Sequence, residues 1–235
     1  MEIKDRVVVV TGAGRGAGRV IAREFARRGA RVALVARTES QVQDVASEIR
    51  SLGAEALAVP ADVTDEVEVA RMAETVLTTF GTVDVLVNNA GIMHRGSVAT
   101  TSLQDWNRVQ AVNVTGPFLC SRAFIEPMKK QKSGHIINIS SGAGKQGYAN
   151  IAAYSASKFA IIGFSESLAA ELMEWGIKVT TLVPGSIDTS FGGWKPGERQ
   201  GVKLLQPEDV AQAIVAIVSQ SERAWSQEMN LWPFK

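Results

Sequence analysis

Cysteine is almost absent from this chain: Cys120 is the only one, so no intrachain disulfide can form. That suits a reducing compartment, and a cytoplasmic location is the expectation. Histidine is nearly as scarce, and His94 and His135 lie too far apart to suggest a metal site. Both read as structural or surface residues, with His94 placed to line a pocket beside "NNAG". An excess of one charge is missing too: 25 Lys and Arg against 24 Asp and Glu leave a net charge of +1. No charge block points to nucleic acid or to a membrane surface. No apolar run approaches the roughly 20 residues of a membrane span. "MEIKDRVVVVTG" runs straight into a strand-like segment, which leaves no room for a signal peptide. There is no internal repeat, low-complexity tract or linker. What remains is an ordinary globular balance, 46% apolar and 21% charged over 235 residues, enough for one large domain.

Within that length, strand-like and helix-like segments alternate almost without interruption. Strands are predicted near 6–11, 31–36, 55–59, 83–88, 134–140, 177–183 and 228–231. Helices are predicted near 16–28, 39–52, 65–79, 103–112, 114–130, 152–174 and 207–219. Alternation of this kind implies a doubly wound parallel α/β sheet of about seven strands, with helices on both faces. One stretch breaks the rhythm. Residues 186–206 hold four glycines and a proline and lack periodicity. The segment follows a strand, where ligands bind in open α/β sheets, and it is read as a substrate lid on a single domain spanning 1–235.

Two local patterns carry chemistry. The first is "VVVVTGAGRGAGRVIAREF", a buried-strand composition followed by Gly12, Gly14, Gly16 and Gly18 and then a helical period. Glycine backbone at a helix N-terminus lets a pyrophosphate approach the amides and the positive end of the dipole. The spacing fits both G-x-G-x-x-A and T-G-x-x-x-G-x-G, and the flanking strand and helix give it meaning. The second is Tyr154 with Lys158, one helical turn apart, so that a phenol and an ammonium share a helix face. A fixed cation lowers the phenol's pKa from about 10, and a close ammonium together with a cationic cofactor ring would make it an acid/base group near neutrality. Upstream stand Ser140 and Ser141. Alternation along a strand turns Ser140 away and leaves Ser141 at the strand's carboxyl end, able to bond a carbonyl oxygen.

These pieces, with "ADVT" at 61–64, "NNAG" at 88–91, Asn113, "INISS" at 137–141 and "PGSIDT" at 184–189, occur in an order that resembles the short-chain dehydrogenase/reductase family over essentially the whole chain. The resemblance implies a single Rossmann-type domain and a catalytic group of Asn113, Ser141, Tyr154 and Lys158, with Asn113 ordering a water that links Lys158 to solvent. It also implies a dinucleotide bound by Gly12, Gly14, Arg15, Gly16, Gly18, Arg37, Thr38, Asp62, Val63, Asn89, Ala90, Gly91, Tyr154, Lys158, Pro184, Gly185, Ile187 and Thr189. Of these, Asp62 would meet the adenine, Asn89 the adenine-side ribose, and Ile187 and Thr189 the nicotinamide carboxamide.

Cofactor choice rests on another absence. NAD-binding folds carry an acid at the end of the second strand for the ribose 2′-OH. Here Ala36 stands in that place, followed by Arg37, with Arg15 inside the glycine turn. Two guanidiniums suit a 2′-phosphate, so NADP(H) is expected. The implied activity is an NADPH-dependent carbonyl reductase or alcohol dehydrogenase acting on a small molecule. The alternatives are a 3-oxoacyl-thioester reductase and, in another class, a non-catalytic dinucleotide-binding regulator. Substrate choice would sit in the lid and in Met93, His94, Tyr148 and Trp194. Phe191 and Trp194 give the lid an apolar face that favours an apolar or aromatic carbonyl, with Lys195 and Arg199 able to meet an anionic tail. Phe118, Phe124, Phe159, Ile162 and Phe164 are too many for one sheet face, which together with the resemblance implies a homodimer or homotetramer. The ending "SQEMNLWPFK" lacks the Gly-Gly segment of many tetrameric members.

Overall fold

The computed structural model describes residues 2–199 and 201–234. Its centre is one seven-stranded, all-parallel sheet in the order β3-β2-β1-β4-β5-β6-β7. The strands are β1 (Val7–Thr11), β2 (Arg31–Ala36), β3 (Ala56–Pro60), β4 (Val85–Asn88), β5 (Gly134–Ile139), β6 (Ile177–Pro184) and β7 (Glu228–Leu231). Between them run α1 (Gly16–Ala26), α2 (Glu39–Ser51), α3 (Glu66–Phe80), α4 (Leu103–Gln110), α5 (Gly116–Gln131), α6 (Ala152–Leu172) and α7 (Pro207–Val218). Every expected strand and helix is present, with ends moved by one or two residues.

The valine run of β1 shows why the sheet lies inside. Alternate residues point to opposite faces. Val8 and Val10 join Ile21 and Phe25 of α1 and Ile214 of α7 in one core. Val7 and Val9 join Met72 and Val76 of α3, Phe124 of α5 and Leu172 of α6 in the other. A strand buried on both faces has no use for polar alternation, and each such side chain contributes about 1.5–3 kcal/mol of burial. Asp65 starts α3 by accepting from the Val67 and Glu68 amides, both at 2.9 Å, a cap worth about 1 kcal/mol.

The chain winds outward from β1 in one direction through β2 and β3, and in the other through β4 to β7. The crevice between the β1 and β4 carboxyl ends is therefore the switch point where ligands bind in open sheets. The apolar excess on the outer helices is smaller than expected. Phe124 and Ile162 are buried, and Phe164 packs edge-on to Phe118. Phe118 and Phe159 remain exposed, at 42% and 47%.

Candidate active site

Thr11, the last residue of β1, ties the crevice together. Its hydroxyl donates to the Val87 carbonyl (3.3 Å) and accepts from the Asn89 and Ala90 amides, both at 3.1 Å. The Asn89 side chain returns across the gap and donates to the Thr11 carbonyl at 2.9 Å. Its job within the protein alone is thus to brace the glycine turn. Gly12 has φ +66°, and a Cβ there would stand 2.9 Å from the Ala90 Cα. A Cβ on Gly18 would come 2.3 Å from the Gly12 carbonyl oxygen, so α1 seats against β1 only through glycine. The N-terminus of α1 has no side-chain cap and no acid in its first turn. Its amides are left for an anion, and the turn fits a pyrophosphate.

From this turn a cavity of about 750 Å³ runs along the carboxyl ends of the strands. Every residue expected to hold the dinucleotide lines it, from Gly12 and Gly14 through Val63 and Gly91 to Pro184 and Gly185. Gln41, not singled out from sequence, also lines it, and its Cβ and Oε1 sit 2.9 Å from where a Gly14 Cβ would be. Ala36 offers a methyl group to the cavity wall, which Arg15, Arg37 and Thr38 also line. Arg37, 60% exposed, faces Asp62 at 3.7 Å. The other Asp62 oxygen accepts from the Thr64 amide and hydroxyl.

At the opposite end β5 and α6 bring the acid/base candidates together. Tyr154, 6% exposed, shares the cavity wall with Ser141, whose hydroxyl accepts from the Ala143 amide at 3.2 Å. Lys158 Nζ donates to the Ile139 carbonyl at 2.8 Å and lies 5.7 Å from the Tyr154 ring centre. Ser140 turns the other way, as alternation predicts, and donates to the Lys158 carbonyl at 2.8 Å. The ammonium by itself does not bring the phenol down: in the protein alone burial pushes Tyr154 up to about 12, against an opposing influence of Ser141. The same burial lowers the Lys158 ammonium to about 8. Desolvation of both groups outweighs their attraction until another charge enters.

Asn113 is brought close but not to the cavity wall. It is buried in a π turn over Ala111–Thr115 that joins α4 to α5. Its side chain accepts from the Ile92 amide and donates to the Ile92 carbonyl and the Ser157 hydroxyl, all at 2.9 Å. Ser157 in turn donates to the Tyr154 carbonyl at 2.6 Å. Asn113 therefore joins the loop after β4 to the helix that carries Tyr154.

The segment 186–206 covers the cavity; Gln200 within it lies outside the described residues. Its base is pinned by two backbone bonds, Asp188 amide to Leu205 carbonyl (2.8 Å) and Leu205 amide to Ser186 carbonyl (2.9 Å). A short 3-10 turn, Phe191–Gly193, sets Phe191 against Tyr154 with ring centres 5.7 Å apart. Met93, Tyr148 and Trp194 line the cavity as expected, and Arg95, missed from sequence, joins them. His94 is not among the lining residues and stands 3.7 Å from Asp105.

Known proteins resemble this chain in sequence and fold. An uncharacterized oxidoreductase of Thermotoga maritima is 41% identical over 186 residues, 79% of this chain and 73% of the relative. Another, from Staphylococcus aureus, is 33% identical over 232 residues, 98% of each chain. A metagenomic short-chain oxidoreductase crystallised with NADP aligns over 100% of both chains at 36% identity, with a TM-score of 0.88. An alcohol dehydrogenase of the archaeon Thermococcus sibiricus, complexed with 5-hydroxy-NADP, aligns over 97% of this chain and 96% of its own at 29% identity, with a TM-score of 0.92. Residues 6–196, from the first strand into the segment after β6, match the short chain dehydrogenase family. The chain belongs to the short-chain dehydrogenase/reductase family of oxidoreductases.

Proposed function

We propose that this protein is an NADP(H)-dependent reductase that interconverts carbonyl and alcohol groups, with Tyr154 as its acid/base residue. The observation that carries this reading is the convergence of Ser141, Tyr154 and Lys158 on the wall of the cavity that the glycine turn opens, with Lys158 Nζ 5.7 Å from the Tyr154 ring centre. The donors at the far end suit the phosphorylated cofactor. Arg15 and Arg37 flank a position where Ala36 offers no carboxylate to repel a 2′-phosphate. Both neighbours described as NADP or 5-hydroxy-NADP complexes support the same choice.

When bound, the cofactor supplies or accepts the hydride at the substrate carbon. Ser141 holds the substrate oxygen by a hydrogen bond. Tyr154, a neutral phenol at pH 7 whose pKa burial raises further, donates its proton to the oxygen as negative charge builds there. Lys158 lies close enough to stabilise the phenolate that results. Asn113, through Ser157 and the Ile92 backbone, keeps α6 and the loop after β4 in register, so that these groups converge. Phe191 and Trp194 exclude water from the reacting centre.

Tyr154→Phe tests the assignment. The ring and its packing stay while the proton is lost, so turnover with NADPH should fall at least about 10²-fold with NADPH affinity retained. The substrates are a panel of ketones, aldehydes and 3-oxoacyl thioesters. Full activity of the variant, or a wild-type protein that reduces none of them with either cofactor, would refute the reading.

A further inference from the structure

The outer wall of the cavity carries two guanidiniums without counter-ions. Arg95 follows β4 on the loop "NNAGIMHRG", and Arg199 comes from the lid; both line the cavity. Both attend the Trp194 ring, with guanidinium carbons 5.4 Å and 5.8 Å from its centre. Among the described residues neither is paired with a carboxylate. The nearby acids are engaged elsewhere: Asp188 accepts from the Gly197 amide, Glu198 from the Lys195 amide, and Asp105 faces His94. Among the described residues Arg95 has no hydrogen-bond partner. Arg199 donates to the Ile187 carbonyl, and its Nε–H is shut off from solvent with no acceptor. A buried guanidinium donor without an acceptor is costly unless something completes it, and Arg95, exposed beside the same ring, offers a second cation to whatever does.

The geometry points to a distal oxyanion on the substrate: we propose that the carbonyl compound reduced here carries a carboxylate or phosphate remote from the reacting carbon, held by Arg95 and assisted by Arg199. This rests on the reductase reading above. Aromatic stacking orients a guanidinium and leaves its N–H edge free for the paired oxygens of such a group. The anion must be distal because Phe191 stands between. Its ring packs on Tyr154, while the next residue, Gly192, is the one beside Arg95. A Cβ on Gly192 would stand 3.7 Å from an Arg95 terminal nitrogen and 3.3 Å from the Met93 sulfur. The apolar cover expected of the lid therefore describes only its inner part, and its rim is cationic.

Two measurements test this. The first compares kcat/KM for methyl-ketone carboxylates, with two to six methylenes between the groups, against their methyl esters and against a matching ketone phosphate monoester. At least one acid or phosphate should exceed its neutral counterpart by about tenfold or more. Arg95→Leu should collapse that ratio towards one, and Arg95→Lys should restore part of it. Whether carboxylate or phosphate is preferred identifies the anion. The second uses ligand-observed NMR on the protein loaded with NADP⁺, titrated with hexanoate and with hexanamide, neither of which can be reduced. Hexanoate should bind more tightly, and only hexanoate should weaken in Arg95→Leu. Equal handling of acid and ester, or equal binding of hexanoate and hexanamide, would overturn the anchor and leave the reductase reading standing. Absence of any turnover together with Arg95-dependent hexanoate binding would sink the reductase reading and leave the anion site.

Discussion

Lys158 should make the cofactor-free protein less stable, and replacing it should stabilise the fold. Its ammonium is buried with one backbone acceptor, the Ile139 carbonyl, and no carboxylate beside it, and burial brings its pKa from 10.5 down to about 8. At about 1.36 kcal/mol per pH unit, this costs the folded state about 3 kcal/mol at pH 7, where the lysine is charged in both states. Above pH 8 the folded lysine sheds its proton, while in the unfolded chain it keeps it to 10.5. The unfolded state then binds more protons, so stability rises with pH across that window, and by pH 9.5 about 2 kcal/mol of the cost is relieved. Lys158→Met fills similar space without charge but leaves the Ile139 carbonyl without a donor, a loss of about 1 kcal/mol. The net gain is about 2 kcal/mol at pH 7, or about 4–8 °C in Tm for a chain of this size. At pH 9.5 it should nearly vanish. Differential scanning calorimetry of cofactor-free wild type and variant at both pH values is the assay. A variant no more stable than wild type at pH 7, or one whose advantage persists unchanged at high pH, would refute the reasoning.

The remaining predictions concern the cofactor and the lid. Ala36→Asp with Arg37→Ala should turn preference from NADPH towards NADH by at least about tenfold, read by fluorescence titration of both cofactors; a wild-type protein that binds the two equally contradicts the proposed role of Arg37. Residues 186–206 should gain hydrogen-exchange protection on binding NADPH with a substrate analogue, most of all around Phe191–Gly193, while the pinned base at Asp188 and Leu205 stays protected throughout. Strong protection of the 3-10 turn in the free protein, unchanged by ligand, would make the segment a fixed connector.

Much of this site was legible because its determinants are local in the chain. The valines of β1 and the glycines after them specify a buried strand, a tight turn and a close-packed helix within twelve residues or so. Tyr154 and Lys158 share a face by helical spacing alone, and strand alternation separated Ser141 from Ser140 correctly. Asn113 was half legible. The predicted helices break at that residue, and the structure shows a continuous path with a π turn in place of a gap. What draws the turn open is a side chain bonded to both polar groups of the Ile92 backbone, a partner 21 residues away. Helical periodicity contains no signal for such a contact.

The features that stayed hidden depend on distance and burial between segments remote in sequence. Arg95 looks like one more surface arginine until the lid brings Trp194 over it. Arg37 looks unopposed until β3 places Asp62 beside it, so a 2′-phosphate must compete with a carboxylate already 3.7 Å away. The direction of the Tyr154 pKa is the sharpest case. Spacing predicts a cation that lowers it, and the cation is there, but the wall that brings the two together also removes the water around both. With Lys158 weakened as an ammonium and Tyr154 strengthened as a phenol, the protein alone holds its acid in the proton-bearing form. A charge arriving on the substrate oxygen or on the nicotinamide ring would shift that balance. In the mechanism proposed here such coupling would make proton release wait for ligand, and the pKa shifts behind it follow from burying the pair, which no residue spacing records.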